Sequence, residues 1–440
     1  MRTFFGLLLL SSLLYGELEY KGYIGLDRQY YISKPSGKHP GNLTLQQQLE
    51  LKYTEGDFEA VISLYAQEDS YDLSSEKNDR SFVRLDELYG KYYFEDDMVL
   101  AGRNIRFWGA LEVNNIVDTF NTRDFRTDGL DPQKQGAWNV SYTHYFENSE
   151  LSLIAKFYEE QQKMAAYPYV YYFFPEKVNV PPLGQFDLDY DSDRTSSESL
   201  YRPTLYLSWS GSTESDYPID YAFIIQHGYD SQRAFVSELD FVKQTTTLRE
   251  ELYLVNKVMS YETMVVGATL FKLEALVTDV IDEVYTSAVP QDVQIEDYYQ
   301  FGLGVEHTIS GIIGDADLGL LAEYYNYDTF KKGADITTDL DLFQVFQNDL
   351  FVGFRYTFND AADGSIIAGA MIDMSYQEQS YSVKFERRMF DLINLKLDYV
   401  YINPSKSDPT AYALMGQDPD DPTADPSAHQ RIGINIAYHF

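Results

Sequence analysis

The chain has 440 residues, a formal charge of −35 and no cysteine. Such a charge argues against nucleic acid as a partner and against a cytosolic role on an acidic membrane surface, since like charges repel. Without cysteine there are no disulfides and no lipid-bearing cysteine, so backbone ladders and packing must hold the fold.

Met1 and Arg2 give a short positive start, and an apolar run continues to Tyr15. The run is too short for a spanning helix and has the proportions of a secretory signal. Cleavage after Gly16 would leave 17–440 as one domain, since no linker or composition break follows. Beyond it, apolar and polar residues alternate in segment after segment. Leu43, Leu45, Leu49 and Leu51 alternate with Thr44, Gln46, Gln48, Glu50 and Lys52. Thr54, Glu55, Gly56 and Asp57 turn the chain, and Phe58, Ala60, Ile62, Leu64 and Ala66 make the next apolar face. Period-two alternation of this kind marks strands with one apolar face.

Expected strands lie near 19–32, 42–54, 57–68, 81–94, 97–109, 138–147, 149–160, 200–211, 217–228, 235–258, 260–275, 295–309, 315–327, 343–358, 364–377, 379–389, 391–403 and 429–440. That makes about 18, an even number, with 16 as the alternative if two are misread. Tight turns recur at 95–97, 147–150 and 390–391, with longer polar stretches between them. Short turns at one end and long loops at the other are the asymmetry of outer-membrane barrels. The last strand carries Ile432, Ile434, Ile436, Tyr438 and Phe440 on one parity and ends on the aromatic residue. It reads as a closing strand facing lipid, and as a mark for the barrel-assembly machinery.

A soluble sandwich would also alternate. Strands of this length exceed the usual five or six residues of soluble sheets and match the roughly 9–11 needed to cross a bilayer. An aromatic content of 16%, with 39 Tyr and 27 Phe, suits interfacial girdles. The expected fold is therefore an all-β, antiparallel transmembrane barrel in the bacterial outer membrane, in contact with lipid and lipopolysaccharide.

A wall of about 18 strands is too wide for its own side chains to fill. The predicted inward parity is polar: Lys156, Arg355, Lys384, Glu386, Asn394, Lys396, Asp398 and Arg431. These residues either line an ordinary aqueous lumen or form a basic ladder for an anion. Residues 276–298 and 404–428 are acidic and would attract cations to the mouth. Neither has EF-hand spacing, so no metal site is assigned.

Residues 81–125 contain Leu100, Ala101, Gly102, Arg103 and Asn104, then Trp108 and Gly109, then Asp118, Asn121 and Asp124. This stretch resembles porin-like outer-membrane barrels that share a Leu-Gly-Arg-Gln strand, a Trp-Gly pair and an Asp-x-x-Asn-Pro-x-Asp stretch. It is more distantly similar to alginate-export-type barrels. The sequence departs from the pattern at Asn104, where Gln is usual, and at Thr122, where Pro is usual. The resemblance implies a porin-like channel and an association with exporters of the resistance-nodulation-division class. Independently, the long segment after Trp108 mixes Arg123 and Arg126 with Asp118, Asp124, Asp128 and Asp131. Folded inward, it would form a constriction with Arg103 or Arg106; folded outward, it would be a charged surface loop. The aromatic run at 167–174 is either an extension of the outer girdle or a patch for lipopolysaccharide, a sugar or a partner.

The six histidines, at 39, 144, 227, 307, 429 and 439, show no zinc-type spacing, and no Gly-x-Ser-x-Gly elbow occurs. Adjacent carboxylates such as Asp86 and Glu87 would point to opposite faces of a strand. No enzyme activity and no cofactor are expected. The expected function is passive diffusion of small hydrophilic solutes or ions. A conduit serving an inner-membrane exporter and a structural or adhesive barrel with a blocked lumen remain as alternatives, and a homotrimer remains open.

Overall fold

The computed structural model describes residues 16–33, 39–72, 80–170, 177–180, 182–195, 198–286, 293–330, 346–375, 377–403 and 429–440. The expected signal segment up to residue 15, the acidic stretch 404–428 and residues 171–174 of the aromatic run lie outside these residues.

Eighteen strands form one antiparallel sheet closed on itself. From the chain start they are Glu17–Ser33, Gly41–Glu55, Phe58–Asp69, Phe82–Phe94, Asp97–Asn104, Ala137–Tyr145, Ser149–Lys156, Thr204–Ser212 and Ile219–Tyr229. The other half comprises Leu254–Val266, Thr269–Val280, Tyr298–Ile313, Ala316–Thr329, Asn348–Thr357, Ser365–Asp373, Gln379–Met389, Ile393–Asn403 and His429–His439. Closure comes from the last strand pairing with the first, Tyr23 opposite His439 through Tyr31 opposite Arg431. The backbone of Phe440 exchanges hydrogen bonds of 3.0 Å with Gly22.

Apolar parity faces out around the wall. Ile432, Ile434, Ile436, Tyr438 and Phe440 are exposed, while Arg431, Gly433 and Ala437 between them are buried. Exposed Tyr20, Phe58, Tyr92, Phe94 and Trp209 stand near the short-turn end. Water would penalise this surface; hydrocarbon does not.

Three segments differ from the sequence expectation. The strand expected to reach residue 109 ends at Asn104, where the chain leaves the wall. The stretch 235–258, expected as one wall strand, contains two strands of a separate sheet, Ala234–Asp240 and Thr245–Glu251, joined to Gly184–Thr195 and Lys177–Val180. The wall strands there are Leu254–Val266 and Thr269–Val280, so the expected strand 260–275 straddles a turn at Gly267. The consecutive β-branched threonines at 245–247 look like strand in sequence. In the fold, Phe235 and Leu248 pack with Met164 in a small core of that sheet, with no lipid partner.

Candidate functional site

Residues 105–136 cross the inside of the barrel. Their path starts at Gly102, whose φ is +138°; a Cβ there would lie 2.2 Å from the Leu88 carbonyl oxygen. Only glycine fits this distortion cheaply. Arg103 then donates to the Leu85 carbonyl at 2.8 Å and pairs with Glu160.

The neighbouring strand carries a bulge that supports the departure. Leu85 lies opposite Leu64 and Glu87 opposite Ser63, leaving Asp86 as the extra residue. A bulge shifts parity by one. Asp86 and Glu87 therefore both serve the loop side, contrary to the opposite-face expectation. Asp86 pairs with Arg84 at 2.5 Å, and Glu87 accepts the Ile105 N–H at 3.0 Å.

Inside, Asn121 staples the loop's two limbs. Its carbonyl accepts the Arg106 N–H at 2.8 Å, and its amide donates to the Asn104 and Gln135 carbonyls. Trp108 packs edge-on against Phe120 and Tyr206. The tip, residues 110–117, lies on the far wall. There Glu274 and Glu323 accept its backbone N–H groups, and Leu111 sits over Gly302 and Gly304. The returning limb touches a third sector: Asp128 pairs with Arg431 at 2.7 Å, and Asp131 lies 3.6 Å from Lys384.

The candidate residues of the sequence divide into three groups. Arg103, Arg106, Asp118, Arg123, Asp124 and Lys156 belong to the packed loop and its root. Arg106 donates to Ser141 at 2.8 Å and lies over the Phe120 ring. Asp118 is held by Arg123 at 3.3 Å and Lys134 at 2.6 Å. Asp124 is shared by Arg84 and Arg126, and Lys156 pairs with Glu159 at 2.8 Å. Arg355 stands between loop and open space, 2.5 Å from Glu112 and 3.4 Å from Glu306. Lys384 and Lys396 project from the wall with about half their side-chain surface exposed, and Asp398 sits beside them, 3.1 Å from Arg431. Arg103 and Arg106 are thus neutralised or packed away from the wall positions at 355–398.

Burial opposes ionisation of Asp124 and Asp128, but the arginines outweigh it. Arg126 and Arg84 hold Asp124, and Arg431 holds Asp128, below the ordinary aspartate value of 3.8. Burial pulls Lys134 down from 10.5, partly offset by Asp118.

Sequence reasoning missed Glu274, Glu323, Gly302 and Gly304. Their signal was present: carboxylates and glycines on the inward parity of otherwise apolar strands. It also missed a buried cluster beside the separate sheet, where Lys257 pairs with Asp230 at 2.5 Å, and Arg233 pairs with Glu159 at 2.5 Å and lies 3.6 Å from Glu250 of that sheet. Of the acids in 276–298, Asp282 and Asp297 accept backbone N–H groups of Leu254 and Val280. They cap strand ends. Among the described residues, no group of three or more His, Asp or Glu could hold a metal ion.

No family model matches the sequence, and no curated protein matches it. Solved structures do. A BenF-like porin from Pseudomonas fluorescens aligns with a TM-score of 0.51 at 8% identity, over 96% of this chain and 98% of that one. OccK1 (OpdK) and OpdO of Pseudomonas aeruginosa align with TM-scores of 0.49 at 11% and 7% identity, covering 96% and 97% of this chain and 98% of each of theirs. The chain has the fold of an outer-membrane porin barrel. At this identity the likeness speaks of fold alone.

Proposed function

We propose that the protein is an outer-membrane channel for passive diffusion of small hydrophilic solutes or ions. One observation carries this reading. Lys384, Glu386 and Lys396 point inward from a closed wall, yet their side chains are 45–55% exposed. Inward and exposed together mean that water occupies the lumen on this side. The loop at 105–136 fills the other side, so the passage is bounded by loop acids and wall bases. Glu112 and Asp131 come from the loop, and Arg355 and Lys384 from the wall. Residues Arg103, Arg106, Asp118, Arg123, Asp124 and Lys156 support the loop; Arg355, Lys384, Lys396 and Asp398 face the solute. Opposed charges across a narrow aqueous gap orient dipolar solutes and tune ion preference.

Planar-bilayer recording tests this. Discrete openings support a channel; a silent, folded barrel supports the blocked-lumen alternative. A KCl gradient then gives the ion preference, which the acidic outer segments bias toward cations. The exporter conduit rests on the Gly102, Arg103, Trp108 and Gly109 resemblance, and those residues already have a local task at the loop's root. Recovery of a periplasmic exporter subunit in a pull-down would favour that conduit. Lipid and lipopolysaccharide surround the apolar belt in this reading, Phe440 presents the closing strand to the assembly machinery, and a homotrimer is compatible with it.

A further inference from the structure

Four wall positions opposite the loop's root break the rules of wall building at one place. Glu274 and Glu323 are fully buried, at 0% and 2% exposure. Burying a carboxylate is costly unless donors surround it. Gly302 and Gly304 lie in the strand between them, and glycine weakens a strand interior. Pairing puts the four side by side: Glu274 is opposite Gly302, and Gly304 is opposite Glu323.

The loop tip supplies what these residues lack. Glu274 accepts the N–H groups of Ala110 at 2.6 Å, Leu111 at 2.9 Å and Val117 at 3.2 Å. Glu323 accepts those of Glu112 at 2.8 Å and Val113 at 3.1 Å. Tyr325 donates its hydroxyl to Glu323 at 2.5 Å and accepts the Asn114 N–H at 3.2 Å. Consecutive amides from 110 to 114 are thus all taken by the wall. Between the carboxylates runs a trench. A Cβ on Gly302 would lie 2.4 Å from Leu111 Cδ1, and one on Gly304 would lie 2.9 Å from Leu111 Cδ2. Lys272 lies 3.7 Å from Glu306 and 3.8 Å from Glu323, which offsets the negative charge.

We infer that Glu274, Glu323, Gly302 and Gly304 form a cradle of positioning residues that sets the width and charge of the passage by fixing the loop tip. The link to the passage is Glu112. Its N–H is held by Glu323, and its carboxylate reaches Arg355 at the edge of the open lumen. The cradle thereby holds one loop acid against one wall base. This inference rests on the channel reading above.

The test pairs two readouts on the full-length barrel. In Glu274→Gln/Glu323→Gln, the wall ladders are untouched, so the heat-resistant folded band in detergent persists. Amides 110–117 lose hydrogen-exchange protection, the single open level breaks into sublevels, and the reversal potential in a KCl gradient shifts. Glu112→Gln alone reproduces the shift without the sublevels and adds nothing to the double variant. Gly302→Val, which blocks the trench and keeps both charges, reproduces the sublevels. Variants with one steady level, unshifted reversal potential and protected amides overturn the cradle while leaving the channel standing. A silent wild-type barrel overturns the channel reading and this inference together.

Discussion

The wall sector 254–329 and the sector 365–403 share one sequence pattern and meet opposite fates. Both alternate apolar-out and polar-in. In the first, Lys257, Glu274 and Glu323 are buried to 2% exposure or less. In the second, Lys384 and Lys396 keep 55% and 54% of their side-chain surface. In the first sector Lys257 has a dedicated partner in Asp230 at 2.5 Å. In the second, Lys384 and Lys396 make contacts at 3.3–3.6 Å across exposed ground. Inward parity therefore says only that lipid is absent. Whether protein or water takes its place depends on where the inserted loop lies.

The largest effect comes from removing what makes the sectors differ. Deleting 112–132 uncovers Glu323 and its surroundings in the first sector and takes from the second the 3.6 Å contact of Asp131 with Lys384. Single-channel conductance is expected to rise several-fold in bilayers, with the barrel still folded. An unchanged conductance would mean that the loop does not limit the passage.

Next comes Arg84, which holds the loop from the root side. It bridges Asp86 at 2.5 Å and Asp124 at 2.7 Å, and all three are buried. Arg84→Met leaves Asp86 buried without its arginine and Asp124 with Arg126 alone, a cost of about 3–5 kcal/mol. The loss appears as a lower unfolding temperature in detergent. Lys384→Met, on the exposed sector, is expected to cost roughly 0–1 kcal/mol by the same measurement. Equal losses would erase the distinction between buried and water-exposed inward charges.

The legibility of the fold follows the same line. Lipid reads every second residue of a wall strand, so alternation at 429–440 or 41–55 declares the barrel directly. Loop insertion has no such periodic reader. The consecutive threonines at 245–247 have the β-branched content of a wall strand, yet belong to the separate four-stranded sheet. Asp86 and Glu87 share a side only because a bulge intervenes, and a bulge is set by its partner strand. The charges of the loop were visible in sequence. Its seat was not, because Glu274 and Glu323 lie far along the chain and look like any lumen acid until Ala110 and Glu112 arrive beside them.

Acid should loosen the returning limb more mildly. Asp128 is held by Arg431 below the ordinary value of 3.8, against the opposing effect of burial. A carboxyl depressed in the folded state contributes stability above its unfolded value, and loses it as pH falls through the folded value. Current noise is therefore expected to stay flat from neutral pH down to about pH 4 and to grow below it. Asp128→Asn should show that noise already at neutral pH. Noise that began near pH 6 would point to another group.

The smallest effect isolates the wet sector. Lys384 and Lys396 touch water and exposed acids, so Lys384→Gln and Lys396→Gln remove charge from the passage with little structural change. Stability is expected to move by under about 0.5 kcal/mol for each. Reversal potential in a KCl gradient should shift toward cations, because the wall loses bases while Asp131 and Glu386 remain. The shift should shrink at high salt, where screening shortens the reach of exposed charges to a few ångströms. The same exchange at buried Lys257 should do the reverse, costing stability with no change of selectivity, since no solute meets that side chain. If both exchanges shifted selectivity alike, the solute path would have to run through the sector occupied here by the loop.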